Sequence, residues 1–373
     1  MADGSAVFLM LSSAAGRPGS IEAGSQYWWK TTGRDLANML RAAQYPKETQ
    51  RIPVKSWTWD GSTHEYSFEL KESIKTLGVR FVADFSPLRP VNWADPLDST
   101  GTEAAIASFA SCVSGFDDTY LITEAGHMTP FLIGFDISRK APAGAGTLPV
   151  LGKAYFLPCI AAVAQMKTRF EVICAGIRQL PDIFSRPNIL SSLRLVEEYL
   201  ASKPKDWENG ARYLATDFVT LDKARLKIYL RCPGTSFDDI WDYFTLGGRI
   251  PGMDNVKDRY RQFVNLLGGG TEAHQGGDPK GPSAGIETAN RRKLTTTYFS
   301  LDNKYPFPAP KVAFCGHNFA ANDALVAQGL DRWLQRFGWD DANRSIEDLV
   351  RHSLPVGYEP AGRILGVASG AIN

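Results

Sequence analysis

The chain has 373 residues, with 41 Lys and Arg against 40 Asp and Glu, a formal charge of +1, and 44% hydrophobic residues, an ordinary composition for a soluble globular protein. Balanced charge leaves no basic excess to hold a nucleic-acid backbone by counterion release, so no nucleic-acid partner is expected. The most apolar stretches, such as Phe156 to Gln165, fall far short of the ~20 residues a membrane span needs, so no membrane partner is expected either.

In chain order, the apolar piece Ala6 to Leu11 has no basic run before it and too short a core for a secretory signal, which predicts a cytoplasmic protein. The five cysteines (Cys112, Cys159, Cys174, Cys232, Cys315) include no C-x-x-C pair, so neither a disulfide framework nor a zinc site is indicated. The five histidines lack metal-site spacing, and no metal or other cofactor is expected. There is no G-x-S-x-G elbow, P-loop or dinucleotide fingerprint to support hydrolase, NTPase or Rossmann readings.

A short strand-like segment carrying a cation recurs at intervals of roughly seventy to eighty residues: Val79-Arg80-Phe81-Val82, Lys153-Ala154-Tyr155-Phe156, Arg225 to Leu230 and Lys311-Val312-Ala313-Phe314. Helix-period stretches lie between them, at Ile160 to Leu180, Leu190 to Leu200 and Ala324 to Phe337. This period is too long for the common solenoids and predicts strand pairs from successive units closing into a barrel. The run Gly268 to Gly285 is rich in Gly and Pro and reads as a mobile surface loop.

Because alternate strand residues share a face, Arg225, Lys227 and Tyr229 point one way and Leu226, Ile228 and Leu230 the other. The same split separates Lys153 and Tyr155 from Ala154 and Phe156. If the apolar faces pack against helices, the charged faces converge on a polar lumen lined with tyrosines. Such a set of cations without matching carboxylates is costly unless an anion fills the space, and phosphate suits both the Lys point charge and the Arg fork. An anion beside aromatic faces suggests ionisation of an allylic diphosphate.

With its strongest pieces at Arg225 to Arg231 (RLKIYLR), Lys153 to Pro158 (KAYFLP) and Thr245 to Arg249 (TLGGR), the sequence resembles the fungal aromatic (indole) prenyltransferases of the dimethylallyltryptophan synthase type, from Tyr27-Trp28-Trp29 to about Phe337. The resemblance implies an α/β fold, one ten-stranded antiparallel barrel ringed by helices (the ABBA barrel) over residues 1–373. It places Arg80, Lys153, Tyr155, Arg225, Lys227 and Tyr229 on the family's diphosphate-binding positions, and Lys311 on a further position that is often polar or basic. Glu65, in Asp60 to Ser67, matches the glutamate that accepts a hydrogen bond from the indole nitrogen and so makes the ring a better nucleophile. The implied activity is metal-independent transfer of an allyl group from an allylic diphosphate to an indole or other aromatic secondary metabolite. A homodimer is allowed.

The sequence departs from the family where the carbocation should sit. Lys311-Val312-Ala313 replaces Lys/Gln-x-Tyr, the two inward tyrosines of the last strand align with Ile364 and Ala368, and Ser138 stands where a proposed proton-accepting lysine is usual. Tyr155 and Tyr229 alone make a thin shield, so an alternative is a repurposed barrel, either a cyclase acting on a prenylated or polyene intermediate or a binding protein. Asp238-Asp239-Ile240-Trp241-Asp242 fits the D-D-x-x-D signature of helical isoprenoid synthases, but following Pro233 to Ser236 it reads as the acidic first turn of a capped helix.

Overall fold

The structure, a computed structural model, describes residues 36, 38–46, 64–69, 78–84, 124–125, 131–137, 150–219, 223–234, 236–267, 295–314, 320, 322–340, 344–353 and 368–370. The Gly-rich run 268–285, Tyr27 to Trp29, Ser138 and Ile364 lie outside the described residues. The chain divides into two compact units: residues 1–84, 134–151 and 322–364 form one, and residues 85–133, 152–321 and 365–373 the other.

The first unit contains the antiparallel pair β1 (His64–Glu69) and β2 (Gly78–Asp84). A third strand, β3 (Phe131–Ile137), begins in the second unit and ends in the first. The first unit's core gathers Leu36, Met39, Leu40 and Ala43 with Ile137, Leu334 and Leu349. Tyr45 is buried in the same core because its hydroxyl has a partner, donating to the Ile137 carbonyl at 2.8 Å.

The second unit holds the charged strands. β4 (Val150–Phe156), which starts two residues before this unit, is followed by α1 (Cys159–Ala164), α2 (Arg169–Arg178) and α3 (Pro187–Ala201). Next come β5 (Ala211–Asp217), β6 (Leu226–Arg231), α4 (Phe237–Phe244), α5 (Lys257–Leu267), β7 (Thr296–Leu301) and β8 (Ala309–Phe314). After α6 (Asp323–Arg336) and α7 (Ile346–Ser353), which belong to the first unit, β9 (Ala368–Gly370) returns to pair with β8. Strands β4 to β9 pair antiparallel in sequence order as a curled half-barrel.

One face of this sheet is dry. Phe156, Leu214, Ile228 and Phe299 form a row across β4 to β7 and are at most 2% exposed, and Val312 and Phe314 continue that face on β8. Helices cover it, with Phe263 of α5 against Phe314 at a centroid distance of 5.9 Å. Burying such side chains stabilises the fold by about 1.5–3 kcal/mol each, which fixes strand register, since a slip of one residue would reverse the faces.

The helical period over 160–180 does not give a single helix. Met166, at φ 52°, breaks it into α1 and α2, and Thr168 starts α2 with a capping box: its hydroxyl accepts from the Glu171 N–H at 3.1 Å, while the Glu171 carboxylate accepts from the Thr168 N–H at 2.8 Å.

Candidate active site

The other face of the half-barrel carries the charges in rows set by register. Tyr213, Tyr229, Tyr298 and Lys311 stand opposite one another in turn across β5 to β8. The next row runs Tyr155, Ala215, Lys227 and Ser300, and beyond it Lys153 lies opposite Asp217. These placements follow from strand alternation and the antiparallel ladder. Gly152, next to Lys153, permits close approach of the end of β5, because a Cβ there would clash with the Phe218 ring.

Lys153, Lys227 and Asp217 are buried, at 6%, 4% and 3% exposure. The Lys227 ammonium donates to Asp217 Oδ1 at 2.6 Å, and Arg225, whose side chain is half exposed, donates to Oδ2 through Nη2 at 3.0 Å and Nε at 3.3 Å. The expectation of cations without a carboxylate is therefore corrected: one carboxylate sits among three cations. Burial alone would raise the Asp217 carboxyl, but Lys227, Arg225 and Lys153 outweigh it and hold its pKa below the ordinary value. Burial pushes the Lys227 ammonium down to about 8, with Lys153 and Arg225 adding to the shift and Asp217 opposing it.

The aromatic lining is also richer than the sequence alone suggests. Tyr155 packs edge-on against Tyr213 at 5.3 Å and Tyr229 at 5.9 Å, while Tyr229 lies 4.4 Å from Tyr213 and 4.7 Å from Tyr298. Lys311 extends over Tyr298, its ammonium 5.8 Å from the ring centroid. Tyr213 and Tyr298 were missed, as was Asp217. The signal available was the alternation of Tyr213, Ala215 and Asp217 in Ala211 to Asp217, and of Thr296, Tyr298 and Ser300 in Thr296 to Leu301.

Glu65 and Arg80 lie on β1 and β2 in the first unit, where Glu65 pairs with Val82 and Arg80 with Ser67. In β9, Ala368 pairs with Phe314, a residue of the dry face, and Ser369 pairs with Ala313.

The Asp238 to Asp242 run is held by other groups. Ser236 caps α4, its hydroxyl accepting from the Asp239 N–H at 3.0 Å, and Asp238 pairs with Lys257 at 3.1 Å and Arg261 at 3.0 Å. Asp242 accepts from Tyr199 and Lys203, both at 2.8 Å. Among the described residues, no group of three or more His, Cys, Asp or Glu could hold a metal ion, and no helix is long and apolar enough to cross a membrane. The Thr245 to Arg249 segment ends α4 through left-handed Leu246, Gly247 and Gly248, with Arg249 donating back to the Leu246 carbonyl at 2.8 Å. A Cβ on Gly247 would come within 2.7 Å of the Arg249 guanidinium.

Residues 54–348 match the tryptophan dimethylallyltransferase family. The chain belongs to this family. It is 40% identical over 366 residues to prenyltransferase phnF of Penicillium herquei, covering 87% of this chain and 82% of that one. The DMATS-type prenyltransferase mfmD of Annulohypoxylon moriforme is 39% identical over 371 residues, covering 88% and 84%. Among solved structures, NotF in complex with brevianamide F and DMSPP superposes with a TM-score of 0.74 at 18% identity, covering 96% of this chain and 94% of that chain. The α/β fold is thus that of the ABBA prenyltransferases, and this family member is an aromatic prenyltransferase of secondary metabolism.

Proposed function

We propose that this prenyltransferase moves an allyl group from an allylic diphosphate to an indole or other aromatic secondary-metabolite acceptor, with the donor diphosphate held by Lys153, Arg225, Lys227, Lys311 and Arg80. The observation that carries the reading is the cluster of Lys153, Lys227 and Arg225 around one carboxylate, beside the tyrosine row. Three cations against one carboxylate leave a surplus of positive charge in a largely buried place, which an anionic ligand would relieve. Ser300, opposite Lys227, has a buried hydroxyl without a protein hydrogen-bond partner, which fits a polar ligand in that row.

In this mechanism the donor C–O bond breaks and its electron pair leaves with the diphosphate, whose growing charge the lysines and arginines stabilise. Side chains supply the charge that a divalent metal supplies in other diphosphate sites, so the reaction is proposed to be metal-independent. The allylic cation lies against the faces of Tyr155, Tyr213, Tyr229 and Tyr298. The acceptor ring gives an electron pair to the allylic carbon, a C–C bond forms, and the ring proton leaves to solvent base. Glu65 is proposed to orient the acceptor by accepting its N–H.

The same reading carries a single ten-stranded barrel over residues 1–373, supported by a family match that runs through both compact units. It also carries a cytoplasmic location, in keeping with free, buried Cys159, Cys174 and Cys232.

The test is incubation of the purified protein with dimethylallyl diphosphate and a panel of indole and phenolic acceptors. Prenylated product should form together with an equal amount of inorganic diphosphate. Failure with every aromatic acceptor, accompanied by cyclisation of a polyene substrate, would replace transfer by cyclisation.

A further inference from the structure

We infer that Asp217 is a positioning residue for the donor site: it holds Lys227 charged and aims both Lys227 and Arg225, so that the diphosphate meets a preformed pair of donors. The inference rests on the proposed donor site and concerns a residue that does not itself contact substrate.

Geometry supports it first. Asp217 is the last residue of β5, 3% exposed, and its two oxygens are divided between different cations, Oδ1 to Lys227 at 2.6 Å and Oδ2 to Arg225 at 3.0 Å. One carboxylate therefore fixes the separation of an ammonium and a guanidinium that leave the sheet from different positions of β6 and its approach. Each cation keeps further N–H donors beyond those given to Asp217, since an ammonium has three and a guanidinium five. The position is itself anchored. Phe218 donates its N–H to the Gly152 carbonyl at 2.8 Å, and Val219 donates to the Asp217 carbonyl at 2.9 Å.

Charge supports it second. Among the described residues, the charged groups facing Asp217 are Lys153 from β4 and Lys227 and Arg225 from β6 and its approach. Lys227 is 4% exposed and has two cations near it, both of which disfavour its own protonation. Asp217 is the neighbour that opposes them. Without its negative charge, burial and like-charge repulsion would leave Lys227 neutral at a lower pH, and a neutral amine is a poor partner for diphosphate.

The experiment is calorimetric titration of inorganic diphosphate into wild type, Asp217→Asn and Asp217→Glu at a series of pH values spanning the titration of Lys227. The ionisation of the ligand is common to all three. In Asp217→Asn the pH at which affinity falls should move down by about one unit or more, so that near pH 8, where wild-type Lys227 is about half protonated, the affinity ratio to wild type should be about fivefold lower than at low pH. Asp217→Glu, which restores the charge, should return the fall-off to the wild-type position. A merely structural role would lower affinity equally at every pH, and that result, or an unmoved fall-off, overturns the inference. If Asp217→Asn does not fold, Asp217→Ser, which also removes the charge, decides: a fall-off displaced downward supports the inference, and one kept at the wild-type pH refutes it. Wild type that binds no diphosphate at any pH would instead defeat the donor-site reading itself.

Discussion

Tyr229 and Tyr298 stand opposite each other on β6 and β7 with ring centroids 4.7 Å apart, and Tyr298 in turn stands opposite Lys311 on β8. Since a cation over an aromatic ring is worth about 0.5–2 kcal/mol, Tyr298→Ala should lower the rate of the chemical step about two- to thirtyfold with folding kept. Single-turnover kinetics with dimethylallyl diphosphate would check it; an unchanged rate would remove Tyr298 from the carbocation's surroundings.

Replacing a donor cation should act on binding. Arg225→Ala or Lys227→Ala removes a charged hydrogen bond worth about 1.5–3 kcal/mol, so affinity for a non-hydrolysable allylic diphosphate should fall about ten- to hundredfold. Both variants binding like wild type would mean that the diphosphate sits elsewhere.

Lys227 makes binding and stability respond oppositely to pH. Its folded pKa, lowered by burial to about 8, lies below the unfolded value near 10.5, so between the two the unfolded chain binds more protons and the Lys227 contribution to stability rises with pH. Donor binding by the free enzyme should weaken across the same window as the ammonium is lost. Comparison with Lys227→Met, by denaturant titration and by kcat/KM for the donor, isolates both slopes, and each should be reduced in that variant.

For Glu65, substitution by Gln keeps size but removes charge. An indole acceptor should lose about one to two powers of ten in kcat/KM, the equivalent of ~1.5–3 kcal/mol, while an acceptor lacking N–H and O–H should not. Equal responses of the two acceptors would dissociate Glu65 from acceptor recognition.

The acidic run of α4 is expected to be structural. Ser236→Ala should cost about 0.5–2 kcal/mol of stability through loss of the helix cap, seen as a lower Tm, with donor binding intact. A chelator should leave donor binding unchanged. Loss of binding on chelation would return Asp238, Asp239 and Asp242 to consideration as metal ligands.

Strand alternation is a local property, so the placement of Lys153 with Tyr155 and of Lys227 with Tyr229 on one face was readable from the sequence, as were their apolar partners Phe156 and Ile228 on the other. The cap on α4 was legible for the same reason, since Ser236 and Asp239 are three residues apart. What crosses between strands was not. Asp217 lies eight residues before Arg225 in the chain, and nothing local shows that the β4–β5–β6 register sets it against Lys153 and within reach of Lys227. Likewise Tyr213 and Tyr298 join Tyr229 through ladder pairing, and Ser369 meets Ala313 through the pairing of β9 with β8. Which residues share a face is legible in the chain alone, because the period of two is built into each strand. Which of those residues meet follows from strand register, and register depends on how the whole dry face packs against its helices.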